Sequence, residues 1–314
     1  MERDKTNHCH PPVPSPFPWL LYYKGKRSNT QIFFNIINEE GTWDFKNMSN
    51  NFVCTNSHGW MVMRNPNRNS RVCFLLNLAT MEKIMLPPLK LKTWKSCILS
   101  SPPSDPTCIV GFFYLNRFKF WHLGEKIWRE HTFNVENDAI DHTVYCEGKF
   151  YCFNFNLDSV MEVMVLDNHK CEMRQLKVEM PTWEGRGCHR VANYFVESLG
   201  EIFLVIIVFA GLVGNRILEV CVFKIDFKEL EWIRVKSLGD HRVFFLSNTI
   251  SMSCSTSGSS GCIKENSIYF ILSSEVDLRS MYIYDMEEKT ITTSLVCPRT
   301  VHNVTQGQWI MPNI

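Results

Sequence analysis

A recurring spacing constrains this chain more than any other feature. Asp167, Asp226 and Asp285 each close an apolar run and open a polar turn, in VLDNHKCEMRQL, KIDFKELEWIRV and IYDMEEKTITTSL. They lie 59 residues apart each time. Asn77, in LLNLATMEKIMLP, holds the corresponding place earlier in the chain. A second marker precedes this one: Gly59 in NSHGWMVM, Gly148 in YCEGKFYCF, Gly200 in ESLGEIFLVI and Asn266 in IKENSIYFI. Gly59 to Asn77 spans 18 residues, and Gly148 to Asp167 and Asn266 to Asp285 each span 19. Equal internal spacing with unequal periods reads as a repeated four-stranded unit carrying loops of variable length. Such a sheet cannot cover both of its faces alone, so units of this kind stack around an axis.

Five units follow, at 53–90, 96–133, 138–178, 189–236 and 241–296. The second diverges (CIVGFFYLNRFKFWHLGEKIWREHTF), with Gly124 at its tight turn and Trp128 on its outer strand. Residues 19–48 (WLLYY, IFFNII, GTWDF) form a partial sixth, which the strand around Gln308-Trp309-Ile310-Met311 completes. Joining the termini in one blade closes the ring and removes an exposed sheet edge. The expected fold is therefore all-β, a β-propeller of about six four-stranded blades, with five to seven as the range the pattern admits. Residues 1–18, with PPVPSPFP, are a flexible lead-in that forms neither helix nor central strand, and 19–314 are the propeller domain. The repeating Asn and Asp read as turn formers, whose short side chains bond their own backbone, rather than as catalytic acids.

Composition removes several function classes. Basic residues number 33 against 32 acidic ones, and this balance supplies no field for nucleic acid or an anionic membrane. Ile202 to Val213 (IFLVIIVFAGLV) imitates a membrane span, but it is too short and too rich in Ile, Val and Phe. It reads as a central strand buried on both faces, running into a turn at Gly211. The N-terminus lacks a secretory pattern. The 13 cysteines contain no C-x-x-C pair and fit buried, reduced thiols in the cytoplasm or nucleus. Cys146 and Cys152, six residues apart, are expected on the same face of one hairpin.

No nucleophile elbow, P-loop, dinucleotide turn or zinc-protease motif occurs, so no catalytic, cofactor-binding or metal-binding residue is assigned. Thr256 to Gly261 (TSGSSG) is a flexible loop rather than a phosphate cradle. His122, His131 and His142 are not at ligand spacing, and His8 and His10 beside Cys9 lie in the lead-in. Function is expected on loops that a rigid scaffold presents. The loops of interest are 64–71 (RNPNRNSR), 90–95 (KLKTWK) and 181–190 (PTWEGRGCHR), and Trp94, Trp183 and Arg186 are residue types that dominate protein interfaces.

The C-terminal third carries a resemblance. SLGDHRVFFL (237–246), Ser251, GCIKENSIYF (261–270), Tyr284-Asp285 and WIMP (309–312) resemble the plant F-box-associated KIB-type β-propeller family, as do PFPWLLYY (16–23) and SHGWM (57–61). The resemblance implies a role as a protein-binding module and not an enzyme. Members of that family carry an F-box, a helical bundle that docks on a Skp-type adaptor of a cullin ubiquitin ligase. Their propeller selects the substrate, and some relatives bind a shaggy-type kinase. Here only 18 residues precede Trp19, and they are not helical, so adaptor contact is not expected of this chain. Gly239, Asp240, Asn266 and Trp309 match family positions and read as turn, pairing and packing determinants. Two alternatives stand beside this reading: an enzyme with an active site in the central channel, which requires His, Asp and Glu clustered there from several blades, and a kinase-binding scaffold without a ligase.

Overall fold

Alternating apolar and polar residues, punctuated by glycine and Asx turns, produce strands throughout the computed structural model and, among the described residues, no helix. The structure describes residues 17–24, 31–37, 51–65, 67, 70–134, 140–154, 159–166, 170–181, 189–211, 216–257, 263–272, 280–295 and 304–311. Trp183, Arg186, Asp167, His8 to His10 and most of the TSGSSG loop lie outside them.

The strands form six blades. In the closing blade, β1 (Trp19–Lys24) pairs antiparallel with β2 (Gln31–Asn35) on one side and with the last strand, β24 (Val304–Ile310), on the other. The expected union of the two ends of the domain is thus present. Blade 1 comprises β3 (Phe52–Ser57), β4 (Trp60–Arg64), β5 (Cys73–Asn77) and β6 (Lys83–Met85). Blade 2 comprises β7 (Ser96–Leu99), β8 (Ile109–Tyr114), β9 (Arg117–His122) and β10 (Arg129–Thr132). Blade 3 runs through β11 (His142–Cys146), β12 (Lys149–Phe153), β13 (Val160–Val165) and β14 (Cys171–Leu176). Blade 4 holds β15 (His189–Ser198), β16 (Glu201–Ala210), β17 (Ile217–Asp226) and β18 (Glu231–Arg234).

Blade 5 departs from the four-stranded expectation. Its order is β20 (Ser251–Ser255), β19 (Arg242–Leu246), β21 (Ser267–Ile271), β22 (Ser280–Asp285) and β23 (Ile291–Leu295), and β19 lies parallel to β21. Both RVFFL and SIYFI are apolar runs that are buried along nearly their whole length. A parallel pair needs a long crossover, and residues 247–266 supply it, with β20 within them.

The local turns follow from the marker residues. His58-Gly59, Glu147-Gly148 and Leu199-Gly200 each place two successive residues at positive φ (53° and 72°, 48° and 81°, 55° and 76°), the geometry of tight two-residue hairpins. The Asx side chains behave as the sequence implied. Asn77 Oδ1 accepts the N–H groups of Ala79 and Thr80 at 2.9 and 3.0 Å, and Asp226 Oδ1 those of Lys228 and Glu229 at 2.8 and 3.2 Å. Asp285 Oδ1 accepts from Glu287 and Glu288 at 2.8 and 2.9 Å, and Asn35 does the same for Ile37. Four residues after three of these acceptors, Met81, Leu230 and Lys289 adopt φ of 60°, 58° and 55°.

Blades pack face to face through apolar layers. On β16, Phe203, Val205, Ile207 and Phe209 join Phe244, Leu246, Ile268 and Phe270 of blade 5, while Ile202, Leu204, Ile206 and Val208 join Tyr151, Phe153 and Val160 of blade 3. The segment that imitates a membrane span is therefore a strand buried on both faces. No helix of the described residues is long and apolar enough to cross a membrane. Each large side chain so buried contributes about 1.5–3 kcal/mol. The apolar packing begins ahead of Trp19: Phe17, at the end of the expected lead-in, is buried between the closing blade and blade 5.

One expectation is corrected. Cys146 packs with the layer shared by blades 3 and 4, whereas Cys152 packs with the layer shared by blades 2 and 3. The hairpin register pairs Cys152 with Thr143, three residues from Cys146, and an odd offset along a strand puts the side chains on opposite faces. The nine described cysteines are free, and eight of them are buried.

Candidate functional site

The first strands of blades 1 to 4, together with β20 of blade 5, surround a central channel of about 560 Å³. Met311, directly after β24, completes the lining, so all six blades contribute. One mouth is built by the tight hairpins of blades 1, 3 and 4. His58 Nε2 lies 3.2 Å from Ser100 O of blade 2, which joins two neighbouring blades there. At Gly200 a methyl group would sit 2.9 Å from Glu147 Oε1, so the blade 4 turn is pressed against the blade 3 turn. The other end carries Lys95 and Asp141, paired at 3.7 Å, with His142 against the Phe195 ring at 5.5 Å. Burial holds the His142 imidazole below its usual range and so favours the neutral ring.

Between the mouths hydroxyl and amide side chains are mixed with apolar ones, and several of the polar groups, with neighbours just behind the wall, fasten blades to one another. Asn56 Oδ1 accepts the Met311 N–H at 2.7 Å, and its Nδ2 donates to Trp60 O at 3.2 Å. Thr249 Oγ1 donates to Gln308 Oε1 at 3.1 Å, and Gln308 Nε2 donates to the Tyr23 hydroxyl at 3.1 Å. The same hydroxyl accepts the Val53 N–H at 3.1 Å. Burial pushes the Tyr23 phenol up to about 12, against the pull of that backbone bond. Ser198 and Ser253 share a bond of 2.8 Å between blades 4 and 5. Asn56, Thr249 and Ser253 thus serve as cross-blade clamps at the channel. Among the described residues, no group of three or more His, Cys, Asp or Glu is arranged to hold a metal ion. His122 ends β9, His131 lies on β10 and His142 starts β11, on three separate strands.

Of the three loop residues singled out from the sequence, Trp94 is described. It lines the channel but is not a free-standing loop residue. Its ring stacks on Phe52 at 5.6 Å and 5°, meets Phe112 edge-on, and carries the Arg64 guanidinium 4.7 Å over its face. Arg64, itself buried, donates through Nη2 to Leu91 O and so anchors the 90–95 loop to β4. Burial lowers its pKa, against the pull of the nearby Cys54, Cys73 and Cys97 thiols. Sequence reading passed over Arg64 as one more loop cation. The available signal was its place on β4, two residues beyond Val62 and four beyond Trp60, which puts it on the same buried face.

The family positions of the C-terminal third act as struts. Asn266, at φ 52°, accepts the Leu238 N–H at 2.8 Å and the Ser237 hydroxyl at 3.1 Å, tying the entry of blade 5 to β21. Trp309 is fully buried, donates its indole N–H to Leu246 O at 2.9 Å and meets Phe245 edge-on at 5.0 Å.

A six-bladed ring whose channel polar groups clamp blade to blade defines a β-propeller scaffold. The family described as KIB1-4 beta-propeller matches residues 33–290, and the chain belongs to that family. Two proteins of Arabidopsis thaliana are similar to it over 238 residues: an F-box/kelch-repeat protein at 24% identity and an F-box protein at 23%. The matched stretch covers 70% and 72% of this chain but only 60% of each relative's length. A protein of Lactobacillus plantarum shares the fold, with a TM-score of 0.50 at 8% identity over 94% of this chain and 99% of its own.

Proposed function

We propose that this chain is a protein-binding propeller of the kind that selects targets for F-box receptors, and that it is not an enzyme. Membership of a propeller family whose matched relatives are F-box proteins carries this reading. Several polar side chains at the channel hold one blade to the next, which gives them a structural role there. A target protein, a kinase among the candidates, would be held by loops that the ring presents, and Trp183 and Arg186 are proposed as contacts on their residue types alone. No cofactor is needed for that role, and the cytoplasm or nucleus is the proposed compartment. Contact with a Skp-type adaptor is not expected of the propeller itself.

The test is affinity purification of the tagged chain from Arabidopsis cells, followed by mass spectrometry. Reproducible recovery of a target protein without adaptor or cullin supports a binding propeller acting apart from a ligase. Recovery of adaptor and cullin together with a target means that this chain engages the ligase itself. Recovery of no specific protein, combined with hydrolase or oxidoreductase turnover abolished by substitutions in the channel, would replace the binding reading with an enzymatic one.

A further inference from the structure

The 90–95 loop follows the outer strand of blade 1, and its approach forms a second depression, about 260 Å³, between blades 1 and 2. One side is Pro87, Pro88 and Lys90. The other is Lys126, Ile127 and Trp128, ahead of β10. The two sides are locked together: Trp128 donates its indole N–H to Pro87 O at 2.8 Å and packs edge-on against Phe112 at 5.7 Å. The groove is therefore preformed, with proline rings and indole carbon as its lining. Ile127, at 63% exposure, stands at its rim, and Met85 on β6 is 57% exposed. Single exposed apolar side chains are common on protein surfaces, so what distinguishes Ile127 is its place at the rim of a preformed groove.

On the blade 1 side the segment that borders the groove is basic, whereas on the blade 2 side Glu125 and Glu130 are paired with Arg129 and Lys119. Residues 83–104 contain Lys83, Lys90, Lys92 and Lys95 and no acidic residue. Some of the local cations are engaged. Lys119, which also lines the groove, pairs with Glu130 at 2.6 Å, Lys95 pairs with Asp141, and Lys83 lies 3.9 Å over the Phe74 ring. Lys90 and Lys126 are exposed on opposite sides of the groove, and among the described residues neither forms an ion pair.

We infer that this groove docks an acidic peptide segment of a partner protein, with an apolar side chain of that segment seated between Pro87, Ile127 and Trp128 and its carboxylates facing Lys90 and Lys126. The apolar seat supplies affinity and the two lysines supply steering and register. A nucleic acid fits poorly, since a phosphate track needs a continuous basic stripe and the groove is walled by prolines. The inference rests on the protein-binding reading and specifies one surface and one partner chemistry for it.

The test selects displayed random short peptides on the full chain and measures the winners by fluorescence polarisation. Winners should carry net negative charge around a Leu, Ile or Phe. Their affinity should fall about tenfold or more in Lys90→Glu/Lys126→Glu and several-fold in Ile127→Ser. These positions are exposed, and an unchanged melting temperature confirms that the variants are folded. Winners that are neutral or basic, winners that bind the double variant as tightly, or an absence of winners would each overturn the groove. The first two results leave the binding reading intact, because the peptides then dock elsewhere on the ring. That reading fails separately, when no specific protein is captured and the chain shows turnover that substitutions in the channel abolish.

Discussion

At the scale of single residues, Asp285 shows how one side chain carries both turn geometry and charge. Its Oδ1 holds two backbone N–H groups and its other oxygen meets Lys264. Burial raises its pKa, but the Lys264 pair and the backbone bonds outweigh that, and the net shift is downward. A carboxylate whose folded pKa lies below the unfolded value contributes fully above about pH 4 and loses its contribution as pH falls through the folded value. Glu201 behaves alike: burial opposes ionisation, yet Lys224 and Arg242 bring the net pKa down. Asp285→Ala should therefore cost about 1–3 kcal/mol at neutral pH and flatten the acid limb of a melting-temperature profile. Asp285→Asn should keep the turn, as Asn77 and Asn35 do in their own blades, and still flatten that limb. An acid limb unchanged in both variants would show that the Lys264 pair contributes nothing. The Asx positions were legible because a short acceptor after an apolar run has one common use. The positive φ of Met81, Leu230 and Lys289 was not, because these residue types have no preference for that conformation.

At the scale of elements, glycine marks where one strand lets an aromatic ring through. A methyl group on Gly111 of β8 would clash with Phe118 Cε2, and Phe118 is stacked between Phe113 and Phe120 at 4.2 and 5.0 Å. Gly111→Ala should destabilise by about 1–3 kcal/mol, and Gly111→Ala/Phe118→Leu should recover part of that loss in urea unfolding. Additive losses would mean that the ring is not the obstacle. Trp94→Ala should likewise lower stability, by about 2–3 kcal/mol, because the ring joins Phe52, Phe112 and Arg64. A folded, equally stable Trp94→Ala with lost target binding would instead make it a contact residue. Strand runs and turns were readable because their period is local. The parallel pairing of β19 with β21 was not, because an apolar run such as RVFFL does not reveal its neighbours. The opposite facing of Cys146 and Cys152 depends on the hairpin register, which spacing alone leaves open.

At the scale of the whole molecule, stability depends on one seam. Every blade except the closing one is a continuous piece of chain, whereas β24 reaches β1 from the far end of the sequence. Trp309 fastens that seam to blade 5 through Leu246 and Phe245, while Asn56 and Met311 fasten it to blade 1. Gly307 permits the close approach, since a methyl group there would lie 2.7 Å from Ile271 and 2.8 Å from Tyr22. Trp309→Phe removes the indole donor and should cost about 1–3 kcal/mol, and Trp309→Ala about 3–5 kcal/mol. For a fold whose total stability is about 5–15 kcal/mol, the larger loss should open the ring before it unfolds the blades. Amide hydrogen exchange would then rise first in β1, β24 and β19 while β12, β13 and β16 stay protected. A uniform rise across all blades would show instead that the ring unfolds as one unit, and that closure is no weaker than the stacking within it.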